Sequence, residues 1–218
     1  MSKPFQFKEF IIHQDKTAMK VGTDGVLLGA WSSVTDFPDS ILDIGAGTGV
    51  VSLMLAQRSD ALIIDAVELD ENAYEQTVEN FERSSWSDRL YCYHATFQEF
   101  ASEIAADEET YDLIVSNPPF YTAGFETENS ARNKARSTSF LSFEELIEGV
   151  VNIISKNGKF VVILPFLEER NSISLAAKNN LFLNRVCRVQ GNASSEVKRT
   201  LLEFSLTKTS IKEEHLII

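Results

Sequence analysis

Two short stretches hold residue types that could do chemistry. In the first, Asp43-Ile44-Gly45-Ala46-Gly47-Thr48-Gly49, glycine recurs at every second position behind one acid, with an apolar run before it and an apolar-periodic segment after it. Glycine permits positive φ and lets a ligand approach the backbone closely. The start of the following helix adds unpaired N–H groups and the positive end of a dipole. Such a loop binds a small polar or anionic ligand. The second stretch is Asn117-Pro118-Pro119-Phe120. The amide oxygen of Asn117 and the carbonyl of Pro118 can each accept one N–H, and the two prolines fix the backbone so that both acceptors face one pocket. An exocyclic amine on an aromatic base is a poor nucleophile because its lone pair is delocalised into the ring. Two acceptors favour a pyramidal nitrogen and free that pair, while Phe120 offers a π face for the base.

The glycine spacing separates nucleotide-binding loops. A dinucleotide fingerprint has its third glycine one place later than Gly49, where this chain has Val50, and no Gly-Lys-Ser/Thr follows for a phosphate-binding Walker loop. The remaining pattern, Asp-x-Gly-x-Gly-x-Gly, resembles motif I of the class I S-adenosylmethionine methyltransferases. Together with residues 117–120 it resembles the amino-methyltransferases that act on N6 of adenine, N4 of cytosine, N2 of guanine or the amide of glutamine. The block Met19-Lys20-Val21-Gly22-Thr23-Asp24-Gly25-Val26-Leu27-Leu28-Gly29-Ala30-Trp31 is similar to the bacterial tRNA adenine-N6 methyltransferases that modify adenosine 37, beside the anticodon of valine tRNA. The resemblance implies S-adenosylmethionine as cofactor, no metal, and direct attack of adenine N6 on the sulfonium methyl.

The elements around these stretches must position them. Residues 41–44 read as a strand into the glycine loop, and residues 62–70 as a buried strand ending in acids. Glu68 lies about 20 residues past the loop, where nucleotide-binding α/β proteins hold ribose hydroxyls, with Leu69 beside it; Asp70 suits the N-cap of the next helix, over 71–83. A strand over 90–94 leads to Ala95-Thr96-Phe97, a turn that by position meets the adenine of the cofactor, and Thr96 with Glu99 forms a capping box. Phe97 either lies against that ring or fills the core. A fourth strand, over 111–116, delivers Asn117. Ser142 with Glu145 opens a helix that Asn157 or Gly158 is expected to close in the left-handed conformation, and a strand follows over 159–165. The last two strands, over 181–189 and 200–206, are joined by a hairpin and are antiparallel.

This βα alternation predicts an α/β, Rossmann-like fold with helices on both faces. The family variant implies a seven-stranded mostly parallel sheet of order 3-2-1-4-5-7-6 with the last strand antiparallel, ligands gathering at the carboxyl ends. One domain over 1–218 is expected: an N-terminal flap and helix over 1–35, with Thr23 or Asp24 as helix cap, a catalytic core over 36–210 and a tail over 211–218. Lys20, Thr23 and Gly25 of the flap are expected to line the cofactor mouth. Asp43 is expected to hold the methionine ammonium.

With 218 residues, 44% hydrophobic and 24% charged, the composition is that of one ordinary globular core, without an apolar stretch of membrane-spanning length or a signal-peptide core. A cytoplasmic location is expected. Cys92 and Cys187 lack metal-ligand spacing. A net charge of −12 speaks against a bulk electrostatic grip on nucleic acid, so a tRNA partner must meet a local basic patch. Arg132, Lys134 and Arg136, in the long polar connection that begins at Tyr121, are the candidates. A monomer is the default. Other readings are a protein glutamine methyltransferase, an rRNA or DNA amino-methyltransferase, and a cofactor-binding module without catalysis.

Overall fold

A computed structural model describes residues 3–118 and 141–218. The chain opens with a small antiparallel pair, β1 (Phe5–Gln6) and β2 (Ile11–Ile12), and the helix α1 (Thr23–Trp31). Strands then alternate with helices: β3 (Ser40–Ile44), α2 (Val50–Arg58), β4 (Ile63–Glu68), α3 (Glu71–Glu82), β5 (Leu90–His94), α4 (Phe97–Ala106) and β6 (Tyr111–Ser116). After residue 140 come α5 (Phe143–Ile153), β7 (Ile154–Pro165), a single 3-10 turn (Phe166–Glu168), α6 (Glu169–Lys178), β8 (Phe182–Gln190), β9 (Val197–Ser205) and β10 (Lys212–Ile217).

The main sheet runs β10-β8-β9-β7-β6-β3-β4-β5, so its first seven strands in the expected sense keep the order 3-2-1-4-5-7-6, with β9 antiparallel to both neighbours. Alternation along each strand sends side chains to two helical layers. Ile41, Ile64, Val161 and Ile163 pack with Leu28 of α1 and Leu53 of α2; Leu42, Val67, Phe160 and Val162 pack with Phe100 of α4 and Ile147 of α5.

The local stop and start signals worked where the capping side chain reaches its own first turn. Asp70 accepts from the Ala73 N–H at 2.9 Å, and both capping boxes, Thr96 with Glu99 and Ser142 with Glu145, are formed. Three expectations need correction. Gly22, rather than Thr23 or Asp24, is the N-cap of α1; Asp24 instead pairs with Arg199 of β9 at 2.8 Å. α5 ends at Ile153 and β7 begins at once, so Asn157 and Gly158 lie within a strand. Gly158 is needed there for space: a Cβ would stand 2.8 Å from the Tyr111 carbonyl oxygen, beside the register shift between β6 and β7. Among the described residues the sheet also has eight strands, because residues of the expected tail form β10, parallel to β8. Glu214 moors it, accepting from the Trp31 indole N–H at 2.7 Å and from Arg185 Nε and Nη2 at 3.1 and 3.0 Å, with the guanidinium 3.9 Å above the Trp31 ring. Those donors, Arg185 first, pull the Glu214 carboxyl down to about 2.

Candidate active site

Ile44 at the end of β3 is in register with Val67 of β4 and Ser116 of β6. The chain therefore leaves three adjacent strands at one level, carrying the glycine loop, Glu68 and Asn117 out side by side. The Ser116 hydroxyl donates to the Ile44 carbonyl at 3.0 Å and locks the glycine-loop and Asn117 exits together. Asn117 and Pro118 are half-buried just beyond it.

Gly45, Gly47 and Gly49 all adopt positive φ, at 77°, 61° and 74°. Their reasons differ. A Cβ at Gly49 would lie 2.7 Å from the Phe81 ring of α3, whereas at Gly45 and Gly47 nothing lies within 4 Å. The third glycine serves packing, and the first two form a cradle that a side chain would fill. Glu68 closes its far wall: Oε2 accepts from the Gly47 N–H at 2.8 Å and Oε1 from the Asp70 N–H at 2.9 Å.

Asp43 lies beneath the loop and is 2% exposed. Gly49 offers no side chain to cap α2, so Asp43 does it from the strand: Oδ2 accepts from the Ser52 N–H at 3.1 Å and the Ser52 hydroxyl at 2.6 Å. Burial pushes its carboxyl up to about 6, the Ser52 bonds resist the shift and the Glu68 charge adds to it. A buried acid so held is a strong potential partner for a cation.

The sequence reading missed the row behind the loop. Gln76, Thr77 and Asn80 of α3 are fully buried polar residues. Thr77 donates to the Gly47 carbonyl at 3.0 Å and Asn80 Nδ2 to the Thr48 carbonyl at 2.9 Å. Asn80 also accepts from the His13 N–H and donates to the His13 carbonyl, both at 2.9 Å, while Gln76 accepts from the Lys16 N–H at 3.0 Å. One helix face thus holds both the loop and the N-terminal segment. The available signal was polar residues at i, i+1 and i+4 on the face that Ala73 and Phe81 mark as internal.

Other anticipated residues are distributed as follows. Leu69 is exposed beyond Glu68, and its carbonyl meets His94 Nε2 at 3.1 Å. Ala95 is half-buried, and Thr96 is committed to capping α4. Phe97 takes the second of the two places open to it. It is 5% exposed and packs where a Cβ on Gly149 of α5 would come within 2.4 Å of its ring, so it fills the interhelical core. Lys20 Nζ donates to the Gln14 and Thr17 carbonyls, folding the flap on itself. Thr23 begins α1, and Gly25 lets α1 approach Val50 of α2. Pro119, Phe120, Tyr121, Arg132, Lys134 and Arg136 lie outside the described residues.

The model of the methyltransferase small domain family matches residues 25–176, which include the glycine loop, Glu68 and residues 117–120. This chain belongs to that family. The methyltransferase is 54% identical over 217 residues to the tRNA1(Val) (adenine(37)-N6)-methyltransferase of Christiangramia forsetii, covering 100% of this chain and 90% of the relative. It is 52% identical over 214 residues to the protein of the same name from Flavobacterium psychrophilum, covering 98% of this chain and 90% of the relative. Among solved structures, a predicted O-methyltransferase, Atu636 of Agrobacterium tumefaciens, superposes with a TM-score of 0.66 at 16% identity, over 90% of this chain and 87% of that one, and so shares the fold. Among the described residues of the methyltransferase, no helix is long and apolar enough to cross a membrane and no group of three or more His, Cys, Asp or Glu is placed to hold a metal.

Proposed function

We propose that this methyltransferase transfers the methyl group of S-adenosylmethionine to N6 of adenosine 37 in valine tRNA. The observation that supports the reading is the register of Ile44 with Ser116, which brings Asn117 out of the sheet beside the open backbone of Gly45 and Gly47. The names of relatives at 54% and 52% identity supply the nucleotide and the tRNA.

The residues fit the cofactor group by group. Asp43 would hold the methionine ammonium, Gly45 and Gly47 would admit the chain close to the backbone, and the two oxygens of Glu68 suit the ribose cis-diol. When bound, the cofactor presents an electrophilic methyl on a positively charged sulfur that departs as a neutral thioether. The Asn117 amide oxygen and the Pro118 carbonyl would each accept one N6–H, turning the lone pair out of the ring plane and toward that methyl. As the new N–C bond forms, one N6 proton passes to solvent. Positioning and these two acceptors supply most of the catalysis, with no covalent enzyme intermediate. Every residue invoked comes from one chain, so a monomer suffices.

The test is Asn117→Ala. The variant should bind S-adenosylhomocysteine as the parent does and lose turnover on tRNA by about 100-fold or more, a few kcal/mol of lost acceptor stabilisation. An undiminished rate would refute the role given to Asn117.

A further inference from the structure

Beyond the level of Asn117, β7 continues upward. Val162 is in register with Ser116, and Pro165 lies three residues farther along, about 10 Å past the sheet exit of β6. The 3-10 turn that follows carries Leu167, which is 83% exposed. A large apolar side chain on a mobile tip would mean little, but this turn is moored. Glu169, the residue after it, is buried and accepts from Arg188 Nε and Nη2 at 3.1 and 2.8 Å and from the Thr200 hydroxyl at 2.7 Å. Two exposed cations flank the turn. Arg170 is the second residue of α6, and Lys198 sits next to Arg199, the register partner of Pro165. Lys198 has no Cα partner in β8, because β9 shifts register between Val197 and Arg199; such bulges re-aim side chains near functional sites. Neither Arg170 nor Lys198 has an ion-pair partner among the described residues. Glu168 and Glu196 share this rim, so the cations act as two point contacts and not as a broad field.

We infer that this rim is the seat of the RNA strand that carries the target adenine. Leu167 fills the gap left in the base stack when the adenine swings into the pocket at Asn117, and Arg170 and Lys198 take the phosphates on either side. The inference rests on the tRNA reading above and adds to it the surface that grips the loop. Removing a base from its stack is favoured when an apolar wedge replaces it, and single-stranded loops are gripped by such stacking together with a few phosphate contacts.

The experiment measures methylation of an unmodified valine tRNA transcript, tRNA affinity against salt, and S-adenosylhomocysteine binding. The variants are Leu167→Ala, Leu167→Phe and the double variant Arg170→Ala/Lys198→Ala. All three positions are exposed, so the variants fold, and all should bind S-adenosylhomocysteine like the parent. Leu167→Ala should lose about tenfold in kcat/KM, with Leu167→Phe within about twofold of the parent. The double variant should flatten the slope of log affinity against log salt by about 1.4, or about 0.7 per lost phosphate contact. Leu167→Ala within twofold of the parent, or an unchanged slope, would overturn the inference while leaving the activity in place. A parent chain that leaves the tRNA unmethylated would overturn the functional reading first, and the seat with it.

Discussion

Asn80 Nδ2 donates to the carbonyl oxygen of Thr48 at 2.9 Å, from a side chain that is 1% exposed. The same amide pairs with both backbone groups of His13, so one residue fixes the glycine loop and the N-terminal segment relative to each other. Asn80→Ala leaves one buried and two part-buried backbone groups without partners and should cost about 2 to 3 kcal/mol in urea unfolding. Affinity for S-adenosylhomocysteine should fall as well, since the loop loses its brace. A variant as stable as the parent would show that these bonds are replaced by water.

Two glycines of the loop predict opposite outcomes. Gly49→Ala drives a methyl to within 2.7 Å of Phe81 at a φ of 74°, and should destabilise the fold by about 2 to 3 kcal/mol. Gly47→Ala meets no neighbour within 4 Å, so its stability cost is the conformational one alone, about 1 kcal/mol. It should nevertheless lose cofactor affinity at least tenfold. Thermal melts and calorimetry on the pair separate packing from binding.

The distinction between these glycines marks how far the sequence could be read. The strand, loop and helix around Gly45–Gly49, the caps at Asp70, Thr96 and Ser142, and the β8–β9 hairpin are written in neighbouring residues, and the structure agrees with them. Distant partners decided the rest. Phe97 is drawn into the core by Gly149, over 50 positions later in the chain. β10 was illegible because Lys212, Glu213, Glu214 and His215 lack strand-like apolar alternation; only the docking of Glu214 onto Trp31 and Arg185 shows why they lie in the sheet. The Asn80 row was overlooked because buried polar residues signal function only once their partners are known.

Asp43 carries a pH dependence whose sign is set by its raised carboxyl, at about 6 against 3.8 ordinarily. Between those values the folded state holds more protons than the unfolded one, so this group's contribution to stability falls as pH rises through the window and stays low above it. The displacement corresponds to up to about 3 kcal/mol. Asp43→Asn should abolish that dependence and be the more stable protein at pH 8, while binding S-adenosylhomocysteine at least tenfold more weakly. In the parent, cofactor affinity should decline below about pH 6 as the carboxylate proposed to meet the ammonium is protonated. Equal stability of the two proteins across pH 4 to 8 would contradict the burial cost assigned to Asp43.

Glu214 has the opposite sign. Its carboxyl is pulled down to about 2, so the stability it gives is in place above the ordinary value of 4.5 and is lost as pH falls toward 2. Glu214→Gln should loosen β10 and cost about 1 to 2 kcal/mol at neutral pH. Amide exchange should then rise along Lys212–Ile217 and at Trp31, with the glycine loop unaffected.

The most direct measurement combines labelled S-adenosylmethionine with unmodified valine tRNA and with the same transcript carrying guanosine at position 37, followed by digestion to nucleosides. One labelled methyl per tRNA, recovered as N6-methyladenosine and absent from the guanosine-37 transcript, is the predicted result. Label on another nucleoside, undiminished label on the guanosine-37 transcript, or no transfer by a folded protein that binds S-adenosylhomocysteine, would contradict it.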